Sequence, residues 1–235
     1  EISILFYDVT TLYFEIERED ELRKTGFSKE GRHQNPQIIL GLLVSIDGYP
    51  LAYEIFDGKK FEGHTMLPVV EAFKTKYKIP KIVIIADSGL LSADNISQLQ
   101  SKGYEYILGA RIKSEKQSIK QQILSLGLKN GESSMIEKDE NTRLIVSYSD
   151  SRARKDKSNR ERGLKKLEKQ IQSGKLTKSN INNRGYNKYL KFEGEISVSI
   201  DNGKFDQDSQ WDGLKGYITN TKLSKQEVID NYGHL

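Results

Sequence analysis

Two aspartates stand where apolar, strand-like runs end or break, and they are the residues best placed to do chemistry. Asp87 closes the run Lys81-Ile-Val-Ile-Ile-Ala-Asp87 and is followed by Ser88-Gly89. Asp8 interrupts Ile2-Ser-Ile-Leu-Phe-Tyr-Asp8-Val-Thr-Thr-Leu-Tyr-Phe14. A carboxylate at the exit of a fully apolar strand sits where open α/β sheets place their ligands. Two such groups at the ends of neighbouring strands repel each other unless a cation lies between them. Mg²⁺ takes oxygen ligands, keeps several waters, and is held by one or two carboxylates plus substrate phosphates. The pair therefore points to hard-metal chemistry, an in-line displacement at phosphorus with Mg²⁺ or Mn²⁺ as the ion.

The elements around these acids can be read from hydrophobic period. In residues 1–16, Ile4, Phe6, Asp8 and Thr10 share one face by the two-residue repeat of a strand. Asp47-Gly48 lies between two apolar runs and predicts a hairpin, because both residues tolerate the positive φ of a primed turn. Met66, Val70, Phe73 and Tyr77 keep helical spacing, with Thr65 as N-cap and Pro80 as the stop. Ser92 caps a second helix that ends at Gly103, and Tyr104-Glu-Tyr-Ile-Leu-Gly109 reads as another strand. The order is β-β-β-α-β-α-β, an α/β layer with an antiparallel front half.

Beyond Arg111 the pattern weakens. Residues 152–173 read as a helix with a thin apolar stripe of Leu164, Leu167 and Ile171, and 175–187 as a loop. Strands and a turn are expected through 191–203 and around Trp211. Gly216-Tyr-Ile-Thr-Asn220 resumes the core, and Ser224-Lys-Gln-Glu227 is a capping box that opens a final helix. The expected division is a core over 1–111, a basic α+β insertion over 112–213, and a return to the core over 214–235.

Charge sharpens the picture. The net charge is only +4, yet residues 152–191 hold 14 Lys and Arg against Asp156, Glu161 and Glu168, a local balance of +11. The rest of the chain is therefore net −7. Such asymmetry fits a polyanionic partner for one segment, and nucleic acid is the polyanion a metal-dependent phosphoryl-transfer site would act on. Arg152, Arg154, Arg160, Arg162, Lys165 and Lys166 are the candidate phosphate contacts, with Lys29 and Arg32 in a glycine-flanked loop as others. His33, His64 and His234 lack metal-binding spacing, and Trp211 fits either base stacking or a core position. With no cysteine there is no disulfide, thiolate site or cysteine nucleophile. No signal peptide and no membrane-length apolar run are visible, so a cytoplasmic, nucleoid-associated place is expected. A start at Glu1, already inside a strand, suggests a piece of a longer protein.

Several blocks resemble those of bacterial insertion-sequence transposases of the DDE type. They are Asp8-Val-Thr-Thr-Leu-Tyr-Phe-Glu15, Gly26-Phe-Ser-Lys-Glu-Gly-Arg32, Pro36-Gln-Ile, Tyr53-Glu-Ile-Phe56, Ala86-Asp-Ser-Gly-Leu90 and Trp211-Asp-Gly-Leu-Lys-Gly-Tyr-Ile-Thr-Asn220. The resemblance implies a ribonuclease H-like fold, a mixed sheet flanked by helices, with Asp8 and Asp87 as the first two acids of a triad holding two ions. It implies hydrolysis and strand transfer on double-stranded DNA, at transposon ends and target, by a homodimer in a synaptic complex. Its third acid belongs to a Tyr-Arg-Glu-Lys signature in which Tyr232 matches the Tyr. Leu235 then departs from the Arg, and the Glu falls about four residues past Leu235, so this piece is expected to be inactive or nearly so. Two other readings stay open: a different ribonuclease H-like nuclease such as a junction resolvase, and a non-catalytic DNA-binding protein derived from a transposase.

Overall fold

A computed structural model describes residues 3–28, 30–174, 176, 181–182, 185–193 and 197–235. Three antiparallel strands open the chain: β1 (Ser3–Tyr13), β2 (Gln37–Ser45) and β3 (Pro50–Asp57). Gly48 turns the β2–β3 hairpin at φ +82°, the left-handed geometry that Asp-Gly allows. Helix α1 (Met66–Tyr77) follows, then β4 (Ile82–Ala86), α2 (Ala93–Ser101) and β5 (Glu105–Ala110). Ser92 caps α2 as expected, its Oγ accepting from the Asn95 amide at 3.0 Å. Thr65 does not cap α1: its hydroxyl donates back to the Glu62 carbonyl at 2.6 Å.

The later elements are α3 (Gln117–Ser125), β6 (Ser133–Asp139), β7 (Thr142–Tyr148), α4 (Asp150–Gln172), β8 (Leu190–Glu193), β9 (Ser197–Ile200), α5 (Asn202–Ser209), β10 (Leu214–Thr219) and α6 (Lys225–Gly233). Asp201-Asn-Gly203, expected as a turn between strands, instead starts α5, because the Asp201 carboxylate accepts from the Lys204 amide and caps the helix. The capping box of α6 forms in full: Ser224 N donates to Glu227 at 2.8 Å, and Glu227 N to Ser224 Oγ at 3.3 Å.

One sheet of eight strands runs β3-β2-β1-β4-β5-β10-β7-β6, and β8 pairs with β9 in a separate ribbon. β1, β4 and β5 are parallel, while β2, β3 and β10 run against their neighbours. The order 3-2-1-4-5 with a reversed β2 is the ribonuclease H-like arrangement. Two compact units result: residues 1–111, 135–145 and 216–235 form the first, and 112–134 with 146–215 the second. The first unit is centred on Phe6, Val83, Ile85, Ile107, Ile145, Tyr217 and Val228. The second packs Leu167, Tyr189 and Leu190 together. There Asp208 takes Lys113 at 2.6 Å, Lys188 at 2.7 Å and the Tyr189 hydroxyl. Burial opposes ionisation of Asp208, yet these donors hold its carboxyl well below the usual range. Among the described residues, no helix is long and apolar enough to cross a membrane.

Candidate active site

Register alone brings the two aspartates together. The last pair of the parallel β1–β4 ladder is Tyr7 with Ala86, so Asp8 and Asp87 each follow by one residue, at one level on adjacent strands. Neighbouring strands lie about 4.8 Å apart. β4 ends at this point, whereas β1 continues along β2, with Asp8 opposite Leu42. Tyr7 beside it is fully buried on the other face, and burial pushes its phenol up to about 12, so it stays neutral next to the acids. Gly41 makes room for that ring: a Cβ there would lie 2.2 Å from the Tyr7 hydroxyl.

Asp87 leaves β4 into a tight 3-10 turn over Ser88–Leu90, and its Oδ1 accepts from the Gly89 amide at 2.6 Å. That bond fixes one carboxylate oxygen and leaves the other able to face a ligand. Asp8 and Asp87 are both exposed, and among the described residues neither has an ion-pair partner. No group of three metal-binding side chains occurs among those residues either. The donor set is thus two unpaired carboxylates on a rigid sheet. It fits an oxygen-seeking ion whose remaining ligands are water and phosphate.

Helix α6 packs over β4 and β5 through Val228, which is fully buried, and its end reaches Phe6, against which His234 sets its ring edge-on at 6.3 Å. Tyr232 stands edge-on to Tyr217 at 5.0 Å and enters a gap left by Gly109. A Cβ on Gly109 would fall 2.5 Å from the Tyr232 hydroxyl and 3.0 Å from the Ser88 amide nitrogen. Tyr232 therefore lies where β5 borders the Asp87 turn. Gly109→Ala is expected to lower stability by about 1–3 kcal/mol through overpacking. Tyr232→Phe in the same chain should recover part of that loss. Equal urea midpoints for Gly109→Ala and the unsubstituted protein would show that Tyr232 is not held in this gap. Glu227 and Asp230 stay outside the site, the first in its capping box and the second bonded to Gln226 at 2.7 Å.

The candidate phosphate contacts scatter. Lys29 lies outside the described residues. Arg32 is exposed, 5.5 Å from the centre of the Tyr13 ring and 3.7 Å from Glu30, in a loop fastened by the Tyr13–Ser28 hydrogen bond of 2.8 Å. On α4, Arg154, Arg162, Lys165 and Lys166 are exposed. With Lys155 and Lys169 they fall within one arc of about 120° at 100° per residue. Arg152 is also exposed, but turns toward Asp156 at 3.6 Å and the Leu214 carbonyl at 3.3 Å. Arg160 does not fit its expected role. It is 8% exposed, pairs with Asp212, and lies 5.2 Å over the Phe205 ring, on the side of α4 that carries Gly163 and Leu167. Sequence reasoning also passed over Arg111, whose Nη2 donates to the Gly89 carbonyl at 3.3 Å. Asp212 went unremarked too, although it sits in the Trp211-Asp-Gly block.

No protein of curated function matches the chain. Among matching solved structures is the cryo-EM structure of a piggyBac transposase synaptic complex with hairpin DNA, 14% identical with a TM-score of 0.41. The match covers 63% of this chain and 31% of that one, so the chain spans about a third of that protein's length. The family model described as "Transposase DDE domain" matches residues 1–234, nearly the whole sequence. The chain belongs to the transposase DDE domain family.

Proposed function

We propose that this chain is the catalytic domain of a DNA transposase, with Asp8 and Asp87 as its first two catalytic acids. The observation that carries this reading is the β1–β4 register, which brings two unpaired carboxylates to one level where the parallel β1–β4 ladder ends. The reaction is hydrolysis of a phosphodiester at a transposon end, which frees a 3′-hydroxyl that attacks a second strand. Two divalent ions, Mg²⁺ or Mn²⁺, would supply charge neutralisation on the phosphate oxygens and activation of the attacking oxygen. Asp8 and Asp87 hold that charge in place, and the Gly89 amide keeps the Asp87 carboxylate from rotating. Catalysis of this kind is mainly positioning and electrostatics. Two copies of the intact protein synapse two ends.

The test is Mg²⁺-dependent cleavage of its own element's end by the intact protein, with aspartate-to-asparagine variants as controls. Cleavage that survives complete chelation would overturn the reading.

The expected insertion over 112–213 is interrupted by β6 and β7, which join the main sheet, so the second unit, residues 112–134 and 146–215, is proposed as DNA-facing, with the exposed stripe of α4 as its binding surface. Replacing Arg154, Arg162, Lys165 and Lys166 with Glu is expected to weaken DNA binding at least tenfold near 0.1 M salt. The slope of log affinity against log salt should flatten by about one for each phosphate no longer neutralised. Unchanged affinity and slope, measured by fluorescence anisotropy, would remove α4 from the interface.

A further inference from the structure

We propose that the edge strand β3 pairs antiparallel with β3 of a second copy of this chain, Tyr53 opposite Tyr53, so that two sheets join into one.

β3 ends the eight-stranded sheet, and its outer side carries a row of backbone amides and carbonyls without a strand partner. Such a row recognises another strand, and edges that stay single are blunted by lysine, proline or a bulge. Residues 51–56 of β3, Leu-Ala-Tyr-Glu-Ile-Phe, contain no lysine, proline or glycine. Leu51, Tyr53 and Ile55 share one face by the two-residue period, and all three are exposed, Tyr53 by 67%. The edge is thus both open and apolar.

The strand is complementary to itself, which makes a second copy its occupant. A two-fold axis normal to the sheet sets odd residues opposite odd ones and even opposite even, so that the faces match. Centring the pair on Glu54 would oppose two like charges, and centring it on Ala52 would oppose Asp47 to Asp57. Centring it on Tyr53 avoids both. Tyr53 then meets Tyr53, Leu51 meets Ile55, Glu54 meets Ala52, and the Asp47 turn comes to Lys59 of the other copy. Asp47 is exposed with no ion pair among the described residues, and the exposed Lys59 meets Glu19 only at 4.0 Å.

The same row of the sheet carries Asp8. Asp8 is level with Leu42, and Leu42 with Tyr53, so the three stand in line across β1, β2 and β3 on one face. Across the joined sheet the two Asp8 residues lie five strand spacings apart, about 24 Å, on the same side. If Asp8 is a catalytic acid, one DNA can meet both sites; the pairing itself does not rest on that reading.

Sedimentation and oxidative cross-linking of the protein, without DNA or metal, test the pairing. The chain has no cysteine, so Tyr53→Cys introduces a single thiol. Opposed residues of antiparallel strands have Cα atoms about 4.5–5.5 Å apart, within disulfide reach, and mild oxidation should give a covalent dimer. Glu54→Cys, two residues out of register with itself, should cross-link at least tenfold more slowly. Tyr53→Lys sets two ammonium groups at the axis and should sediment as a monomer with an unchanged urea midpoint. Asp47→Lys and Lys59→Asp should each weaken association about tenfold, and the double variant should regain it. A monomeric unsubstituted protein, a dimer that persists in Tyr53→Lys, equal cross-linking by Glu54→Cys, or a double variant as weak as the single ones would each overturn the proposal. Any of these leaves the assignment of Asp8 and Asp87 to the cleavage assays.

Discussion

Asp87→Asn is expected to reduce Mg²⁺-dependent cleavage of the transposon end by about a thousandfold or more, and Asp8→Asn by a similar factor. The substitution is close to isosteric, and its amide oxygen can still accept from Gly89, so the 3-10 turn after β4 should persist. What disappears is one of two negative charges that would hold a divalent cation. Loss of a few kcal/mol of charge stabilisation in the transition state corresponds to this rate, since each 1.4 kcal/mol is about tenfold. Binding should move the other way. Without metal, an unpaired carboxylate repels the approaching phosphate, so the asparagine variant should bind the DNA end as tightly as the unsubstituted protein, or more so. Single-turnover cleavage and metal-free anisotropy separate the two effects. A variant that cleaves within tenfold of the unsubstituted protein would remove Asp87 from the catalytic set. One that loses binding and cleavage together would place its role in folding.

The part of this site that could be read in the sequence is the part that alternation and strand exits control. Asp87 ends a run with every residue from Ile82 to Ala86 buried, and a strand buried on both faces reads as a continuous apolar run. Asp8 lies two residues from Phe6, so the period of two places both on one face of β1. The order of the first five strands followed from these runs and the Asp-Gly hairpin. The pairing that sets Asp8 level with Asp87 did not, because parallel register depends on how far α1 and its flanking loops carry the chain. β6 and β7 were equally hidden. Their strands are short and mixed in polarity, as in Ser133–Asp139, and they owe their place in the sheet to β10, a partner remote in sequence from both. The close approach at Gly109 and the Arg111–Gly89 bond are also long-range, so only the folded chain reveals them.

The basic helix makes the contrast at a single residue. Composition groups Arg160 with Arg154 and Arg162 as one positive run, but helical phase separates them. Arg160, Gly163 and Leu167 follow one another at three and four residues, the spacing of one helix face, and all three are buried. Its guanidinium pairs with Asp212, whose side chain is 16% exposed, in the same unit as α4. Asp156, one turn earlier on α4, accepts from the Gly213 amide at 3.2 Å. The two interactions fasten the helix to the turn before β10. Arg160→Ala is therefore expected to cost about 3 kcal/mol, because it leaves the half-buried Asp212 carboxylate without its cation and removes the side chain packed on Phe205. Arg160→Met combined with Asp212→Asn should lose much less, since both charges go and the volume is largely kept. Denaturant unfolding and DNA anisotropy on the same variants decide the matter. If Arg160→Ala unfolds within about 1 kcal/mol of the unsubstituted protein but loses DNA affinity, the arginine is a DNA ligand after all. If stability falls while the folded variant still binds DNA normally, it is the structural anchor that its burial and its pairing with Asp212 describe.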